Sequence, residues 1–192
     1  MAETPSQTAL RERLRAVGME LFRREGLRFT MQQAAEAIHI SKKTIYAVYP
    51  SKEALLLDMV DDAFAQIHAR KQAILDGPGT LTDKLRAVII ALPEEYTALD
   101  LQQMTLLDER YPAVAARVRE HLENGWEPTL ALLEQGMEQG VLRRVSLPIL
   151  QRMISASIED FLADRTLEQQ GITYTQALDE MVAILWEGIA VR

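Results

Sequence analysis

Cysteine is absent from this chain of 192 residues, and histidine occurs only three times, as His39, His68 and His121. Without cysteine, neither a disulfide framework nor a thiolate metal site is available, and a reducing compartment is the natural setting. A single Glu-x-x-His motif occurs, from Glu36 to His39, whereas di-iron helical bundles need two such motifs and further carboxylates. We therefore predict no metal and no cofactor.

Catalytic signatures are missing as well. The sequence contains no nucleophile motif, no glycine-rich phosphate loop and no His-Glu-x-x-His motif. We predict that the protein is not an enzyme.

Long uncharged apolar runs are also lacking. No window approaches the 18 residues of a membrane span, and residues 1–6 lack the basic and apolar pattern of a signal peptide. We expect a protein that is neither exported nor membrane-spanning and that works in the cytoplasm. Its 48% hydrophobic content is enough to bury a core in one domain or in two small ones.

The net charge of −7 is unevenly distributed along the chain. Residues 1–60 carry nine Lys and Arg against seven Asp and Glu, a net charge of +2, whereas the remainder carries −9. Neutralisation of phosphates by Lys and Arg supplies most non-specific affinity for DNA. A basic first third on an acidic body is therefore the pattern expected when one small domain contacts DNA.

Apolar residues recur at spacings of three and four, which predicts an all-α protein of about nine helices. The first helix ends at Gly26. Thr30 and Gln33 form a capping box that begins a second helix reaching about residue 38. Ser41 caps a third helix that runs to Tyr49, and Ser51 caps a long fourth helix. Five further helices are predicted at about 82–92, 94–108, 112–139 with a bend at Pro128, 147–165 and 174–190.

The second and third helices have the arrangement of a helix-turn-helix, in which the second helix enters the major groove of DNA. Both are short, a longer helix packs on them, and polar and basic residues open the second. In and around these helices stand Leu21, Phe22, Gly26, Thr30, Ala35, Ile40, Ser41, Thr44, Ile45, Tyr46, Tyr49, Ser51, Lys52 and Glu53. With these residues, the sequence over residues 9–60 resembles the TetR family of transcriptional regulators.

Three positions depart from the family pattern. His39 stands where a turn glycine is typical, Lys43 where glycine or alanine is typical, and Val48 where histidine or tyrosine is frequent. Histidine is one of the residues tolerated at positive φ, so we expect the turn to form. Lys43 and Val48 alter the face presented to DNA, which affects the preferred operator.

The resemblance implies an N-terminal three-helix DNA-binding domain over residues 1–54, with its helix-turn-helix at about 30–49. It also implies a C-terminal effector-binding and dimerisation domain over residues 55–192. The predicted DNA contacts are Thr30, Ser41, Lys42, Lys43, Thr44, Tyr46, Tyr49 and Lys52.

Their chemistry divides these contacts into two groups. Thr30 and Lys52 lie at helix N-termini that favour phosphate, whereas Lys42, Lys43 and Thr44 open the recognition helix, where side chains reach base edges. Two interpretations of Tyr49 stay open, a core aromatic or a DNA contact.

In the C-terminal domain, the resemblance implies that the last two helices form the dimer interface. The residues predicted there are Ile154, Ile158, Phe161, Met181, Leu185 and Trp186. Apolar side chains of the middle helices are predicted to line a pocket for a lipophilic small-molecule effector: Tyr96, Met104, Trp126 and Met137.

We thus predict a DNA-binding transcriptional regulator, in the form of a homodimeric repressor released from a palindromic operator by its effector. The alternative is a protein-binding helical module that kept this fold and no longer binds DNA.

Overall fold

The computed structural model describes residues 5–89, 91, 102–163 and 166–190. Apart from an isolated antiparallel bridge between Leu142 and Ala190, these ranges contain helices and the turns between them. The predicted all-α class is confirmed. The helices are α1 (Pro5–Glu25), a 3₁₀ turn (Gly26–Arg28), α2 (Met31–Ala37), α3 (Lys42–Val48), α4 (Lys52–Asp76), α5 (Leu81–Ile89), α6 (Gln102–Arg110), α7 (Pro112–Glu123), α8 (Glu127–Glu138), α9 (Leu147–Ala163), α10 (Thr166–Gln169) and α11 (Tyr174–Ile189).

The single helix predicted over residues 112–139 is two helices, α7 and α8. The break falls at Gly125, whose φ of 74° lies in the left-handed region that glycine adopts without steric cost. Pro128 follows in the first turn of α8, where its missing N–H leaves no hydrogen bond unmade. The predicted bend at Pro128 was therefore a helix start. The first part of the helix predicted over 94–108 lies outside the described residues.

The chain divides into two compact units. The head unit comprises residues 1–63 and 98–118, and the body unit comprises residues 64–97 and 119–192. These units divide α4 between residues 63 and 64, whereas the predicted domains divide the chain at residue 54. The described helices include none with the length and apolar character needed to cross a membrane.

The core of the head unit combines the helix-turn-helix with residues much later in the chain. Its members include Leu14, Phe29, Ile45, Tyr49, Leu55, Leu107, Val114 and Ala115, each at most 5% exposed. Burying one such large apolar side chain contributes roughly 1.5–3 kcal/mol. Residues of α6 and α7 are thus part of the structure that supports the helix-turn-helix.

The body unit has a separate core built from α5, α8, α9 and α11. Its most buried members are Leu85, Leu133, Leu142, Ile154 and Leu178. Gly136 of α8 allows close packing there, because an added Cβ would lie 2.9 Å from a methyl carbon of Leu142.

Candidate DNA-binding surface

Side-chain caps fix the start of each helix of the helix-turn-helix. Thr30 Oγ1 accepts a hydrogen bond from the Gln33 N–H at 3.2 Å, and Gln33 Oε1 accepts one from the Thr30 N–H at 2.7 Å. Ser41 Oγ accepts one from the Thr44 N–H at 3.1 Å. The capping box and the serine cap predicted from the sequence are both present.

The turn between α2 and α3 is a Schellman motif. The Ile40 N–H donates to the Ala35 carbonyl at 3.0 Å, and the His39 N–H donates to the Glu36 carbonyl at 3.1 Å. His39 occupies the left-handed position of this motif with a φ of 57°. The expectation that histidine would tolerate the turn is confirmed.

Substituting His39 with glycine should stabilise the protein by about 1 kcal/mol, because the Cβ of an L-residue is disfavoured in the left-handed region. His39→Val should destabilise it, since β-branched side chains fit this region least well. Urea unfolding of the full chain, followed by circular dichroism, measures both effects. A less stable glycine variant would contradict this account of the turn.

One side of the α2–α3 pair is buried, and this determines which side faces outward. Ala34, Ala35 and Ile45 are at most 1% exposed. Ser41, Lys42, Lys43 and Tyr46 are exposed on α3 or at its cap, and Thr30 is exposed at the cap of α2. We call this set, with Thr44, the α3 face.

Two ammonium groups on the α3 face are unpaired within the described part of the chain. Neither Lys42 nor Lys43 has a carboxylate within 4 Å there, and the Lys42 ammonium lies 6.0 Å from the centre of the Tyr46 ring. The Thr44 hydroxyl is hydrogen-bonded to the Ser41 hydroxyl at 2.8 Å, so both support the cap. The two lysines and Tyr46 are therefore the groups with most freedom to meet a ligand.

Tyr49 belongs to the core, which corrects its prediction as a DNA contact. It is 1% exposed, and its hydroxyl donates a hydrogen bond to Asp58. Burial, then that hydrogen bond, raises the pKa of Tyr49. Arg11 lies 5.0 Å from the ring centre, and Arg15 lies 3.6 Å from the Asp58 carboxylate. Of the two interpretations of Tyr49, the structure supports the core aromatic.

Lys52 also differs from its prediction as a phosphate contact. Its ammonium donates to the Leu27 carbonyl at 2.6 Å and to the Phe29 carbonyl. It lies 4.1 Å from the centre of the Phe29 ring and 5.8 Å from that of Tyr111. Burial, with a smaller repulsion from Arg110, lowers the pKa of Lys52 to about 8. We therefore reassign Lys52 from phosphate binding to holding the 3₁₀ turn that precedes α2.

Sequence reasoning missed the carbonyl partners of Lys52 and the role of Asp58. The carbonyls lie 25 and 23 positions from Lys52, and Asp58 lies nine positions from Tyr49. The one available signal was a lysine at the first position of α4, where a cation is unfavourable beside the helix dipole. Such a lysine needs acceptors from elsewhere in the chain.

The residues predicted to bind an effector are not gathered into one pocket by the described part of the body unit. Trp126 is 7% exposed and its Nε1 donates to the Leu122 carbonyl at 2.9 Å, while Met137 is half-buried. Tyr96 and the side chain of Met104 lie outside the described residues. A cavity of about 10 Å³, enough for one water molecule, is lined by Leu85, Ile89, Leu133, Leu150, Ile154, Val182, Leu185, Trp186 and Ile189.

Two of the predicted dimer contacts belong to the core of the single chain. Ile154 is 0% and Met181 is 9% exposed without any partner, so we reassign both to the body core. Ile158, Phe161, Leu185 and Trp186 are partly buried against that core. The large apolar side chains that α9 and α11 leave exposed are instead Ile149, Met153 and Ile184. We call these three the α9–α11 patch.

Comparisons with known proteins agree with this architecture. Residues 14–59 match the family model described as Bacterial regulatory proteins, tetR family. YvaF, an uncharacterized HTH-type transcriptional regulator of Bacillus subtilis strain 168, is 24% identical over 179 residues, which cover 93% of this chain and 94% of YvaF.

Solved structures of regulators share the fold over nearly the whole chain. FadR of Thermus thermophilus, a TetR-family repressor solved with lauroyl-CoA, is 28% identical with a TM-score of 0.61, covering 95% of this chain and 96% of FadR. A regulator from Saccharomonospora viridis, solved with choline, has a TM-score of 0.75 at 15% identity, covering 96% and 100%. The second likeness concerns the fold alone.

Proposed function

We propose that this chain, which belongs to the TetR family of transcriptional regulators, is a repressor that a small-molecule effector releases from a palindromic operator. It would act as a homodimer in the cytoplasm, where the operator DNA is found. The proposal assigns the protein a binding role and no catalytic step.

The observation that carries the DNA-binding part is the chemistry of the α3 face. Lys42 and Lys43 lie in the first turn of α3, which the fully buried Ile45 anchors to the core of the head unit. The major groove is roughly 12 Å wide and admits one helix with its side chains. Lysine donates to guanine base edges and to phosphates, and Tyr46 adds an exposed hydroxyl and ring.

Effector release is supported by a similar regulator that was solved with a small molecule. The structure of the Thermus FadR repressor contains lauroyl-CoA. An effector of this chain would bind more tightly to the DNA-free conformer than to the DNA-bound one, because equal affinity for both would leave the equilibrium unchanged. We place its binding site in the body unit.

The dimer is supported by the α9–α11 patch. Ile149 and Met153 are 62% and 52% exposed on α9, and Ile184 is 64% exposed on α11. Large apolar side chains left exposed on these two helices favour a contact surface there, and a two-fold dimer covers the same residues on both subunits. Two α3 helices in successive major grooves would read half-sites whose centres lie roughly 34–36 Å apart.

Ile184→Glu should convert the dimer to a monomer, because it would bury a carboxylate in the subunit contact without a partner. Gly188→Arg should act in the same way, since Gly188 lies one turn further along α11 and has open space around it in the single chain. Analytical ultracentrifugation measures the mass. Ala73→Glu, at an exposed position on α4, is the control and should stay dimeric. If the Ile184→Glu and Gly188→Arg variants both stay dimeric, the subunit contact lies on another surface.

The function is tested by fluorescence anisotropy of a labelled DNA duplex titrated with the full chain at 50 and 200 mM salt. A regulator making six to ten phosphate contacts should lose roughly 10³-fold or more in affinity between these salt concentrations. The alternative, a protein-binding module of the same fold, predicts no salt-dependent binding at either concentration.

A further inference from the structure

Lys71 of the body unit is a half-buried cation that lies over an aromatic ring. Its ammonium lies 5.5 Å from the centre of the Trp126 ring. Within the described residues, no carboxylate lies within 4 Å of it. Burial lowers its pKa, as expected for an ammonium removed from water without a counter-ion. The ammonium group of a lysine in this position can bind an anion.

The surroundings of Lys71 form a continuous strip along α4. Phe64, His68 and Lys71 are spaced by four and three residues and so share one face of the helix. The Phe64 ring stacks on His121 with ring centres 4.5 Å apart. The His68 imidazole lies so close to Gly125 that an added Cβ would meet its Cε1 at 2.2 Å. The strip therefore combines aromatic surface with hydrogen-bond donors.

The N-terminus of α8 lies beside Lys71, because the N-cap residue of this helix is Trp126, whose ring Lys71 contacts. No side chain caps this helix of 12 residues, so its first free N–H groups and its dipole favour an anion. One turn later, the Thr129 hydroxyl is fully buried and has no hydrogen-bond partner among the described atoms. A buried hydroxyl without a hydrogen-bond partner is unfavourable, so the start of α8 has hydrogen-bonding capacity that the described residues do not satisfy.

The pKa of His68 reflects its burial and the groups that lie near it. Burial is the largest cause that lowers the pKa of His68, followed by repulsion from Lys71 and from His121. Glu127, exposed at the first position of α8, acts in the opposite direction. Lys71 is thus the permanent cation beside His68, and the opposing Glu127 carboxylate is itself exposed to water.

We propose that Lys71, His68 and the N-terminus of α8 form a subsite for the acidic group of an amphipathic small molecule. The group would be a carboxylate, sulfonate or phosphate, held by the Lys71 ammonium and by the free N–H groups of α8. Phe64, which is half-buried, provides apolar surface for the adjoining part of the ligand. The inference rests on the proposed effector function, because it names the chemical class of the effector.

The test uses two dyes that differ in charge. 1-Anilinonaphthalene-8-sulfonate carries a sulfonate, and N-phenyl-1-naphthylamine is the same ring system without it. Both are titrated into the full chain and into Lys71→Met, and the change in dye fluorescence gives each affinity. We expect Lys71→Met to weaken binding of the sulfonate at least fivefold and to leave the uncharged dye within twofold of its original affinity.

A second variant keeps the test informative if Lys71→Met fails to fold. Glu127→Gln changes an exposed side chain and removes the opposing carboxylate, so it should strengthen sulfonate binding about twofold and leave the uncharged dye unaffected. The subsite is refuted if the sulfonate dye fails to bind, if both dyes change in parallel, or if neither variant alters sulfonate affinity. The dye titrations contain no DNA. A failure of the protein to bind DNA would therefore refute the proposed regulator function and leave the dye affinities unchanged.

Discussion

Replacing Lys42 and Lys43 together with alanine should reduce the affinity of the protein for duplex DNA at least tenfold at 50 mM salt. Both ammonium groups are exposed on the α3 face and unpaired within the described residues. Each phosphate contact contributes about 0.9 to the slope of log affinity against log salt. The double variant removes four lysines from a dimer, and each lysine that contacts a phosphate accounts for about 0.9 of the slope. We therefore expect the slope to fall in magnitude by up to about 3 to 4, as measured by anisotropy titrations.

A matched pair of cations in the body unit supplies the control. Arg143 and Arg144 are adjacent and exposed, so their double alanine variant removes the same charge from a different surface. We expect this variant to retain the affinity and nearly all of the salt slope. Equal losses in the two double variants would show that net charge, rather than the α3 face, governs binding.

Lys52→Met should lower the free energy of unfolding by about 1–2 kcal/mol and weaken DNA binding roughly tenfold, with the salt slope unchanged. Methionine leaves the carbonyls of Leu27 and Phe29 without their charged donor, and a lost hydrogen bond to a charged group costs about 1.5–3 kcal/mol. The substitution also removes the desolvation penalty of a half-buried charge, so the net loss of stability is smaller than that. The affinity falls because the turn before Thr30 loses its anchor.

Lys43→Met distinguishes the two roles that a lysine can have here. Lys43 is exposed, so its substitution should leave the free energy of unfolding within about 0.5 kcal/mol and should reduce the salt slope. Urea unfolding and salt-dependent anisotropy of both variants complete the comparison. If Lys52→Met reduces the salt slope and leaves stability unchanged, Lys52 is a phosphate ligand after all and our reassignment is wrong.

Local features of this fold could be predicted because their determinants lie three or four residues apart. The Thr30–Gln33 capping box is an example, as is the start of α11, where Thr173 and Gln176 form a second one. The positive φ of His39 also follows from its place in a short turn. In each case the hydrogen bond that fixes the backbone joins neighbours in the sequence.

Features that depend on distant segments could not be predicted in the same way. Lys52 acquires its acceptors from the 3₁₀ turn, and the phenol of Tyr49 acquires Asp58 of α4. Neither pairing leaves a periodic signal in the sequence.

Two of the six predicted dimer contacts, Ile154 and Met181, were misplaced for a related reason. α9 and α11 are apolar on more than one side, and hydrophobic periodicity does not say which side meets the protein's own core. The predicted Ile154 and Met181 lie in that core, whereas Ile149 and Ile184, which were not predicted, are exposed. Only the packed structure distinguishes the two sides.

The central claim is that two α3 helices of a dimer read DNA, and selection of bound sequences from a random duplex library tests it most directly. The selection is carried out with the full chain at low and at moderate salt. We predict recovery of a two-fold symmetric site whose half-site centres are separated by one helical turn, 10–10.5 base pairs, or a multiple of it. Recovery of no enriched sequence at either salt concentration would contradict the claim and favour the protein-binding alternative.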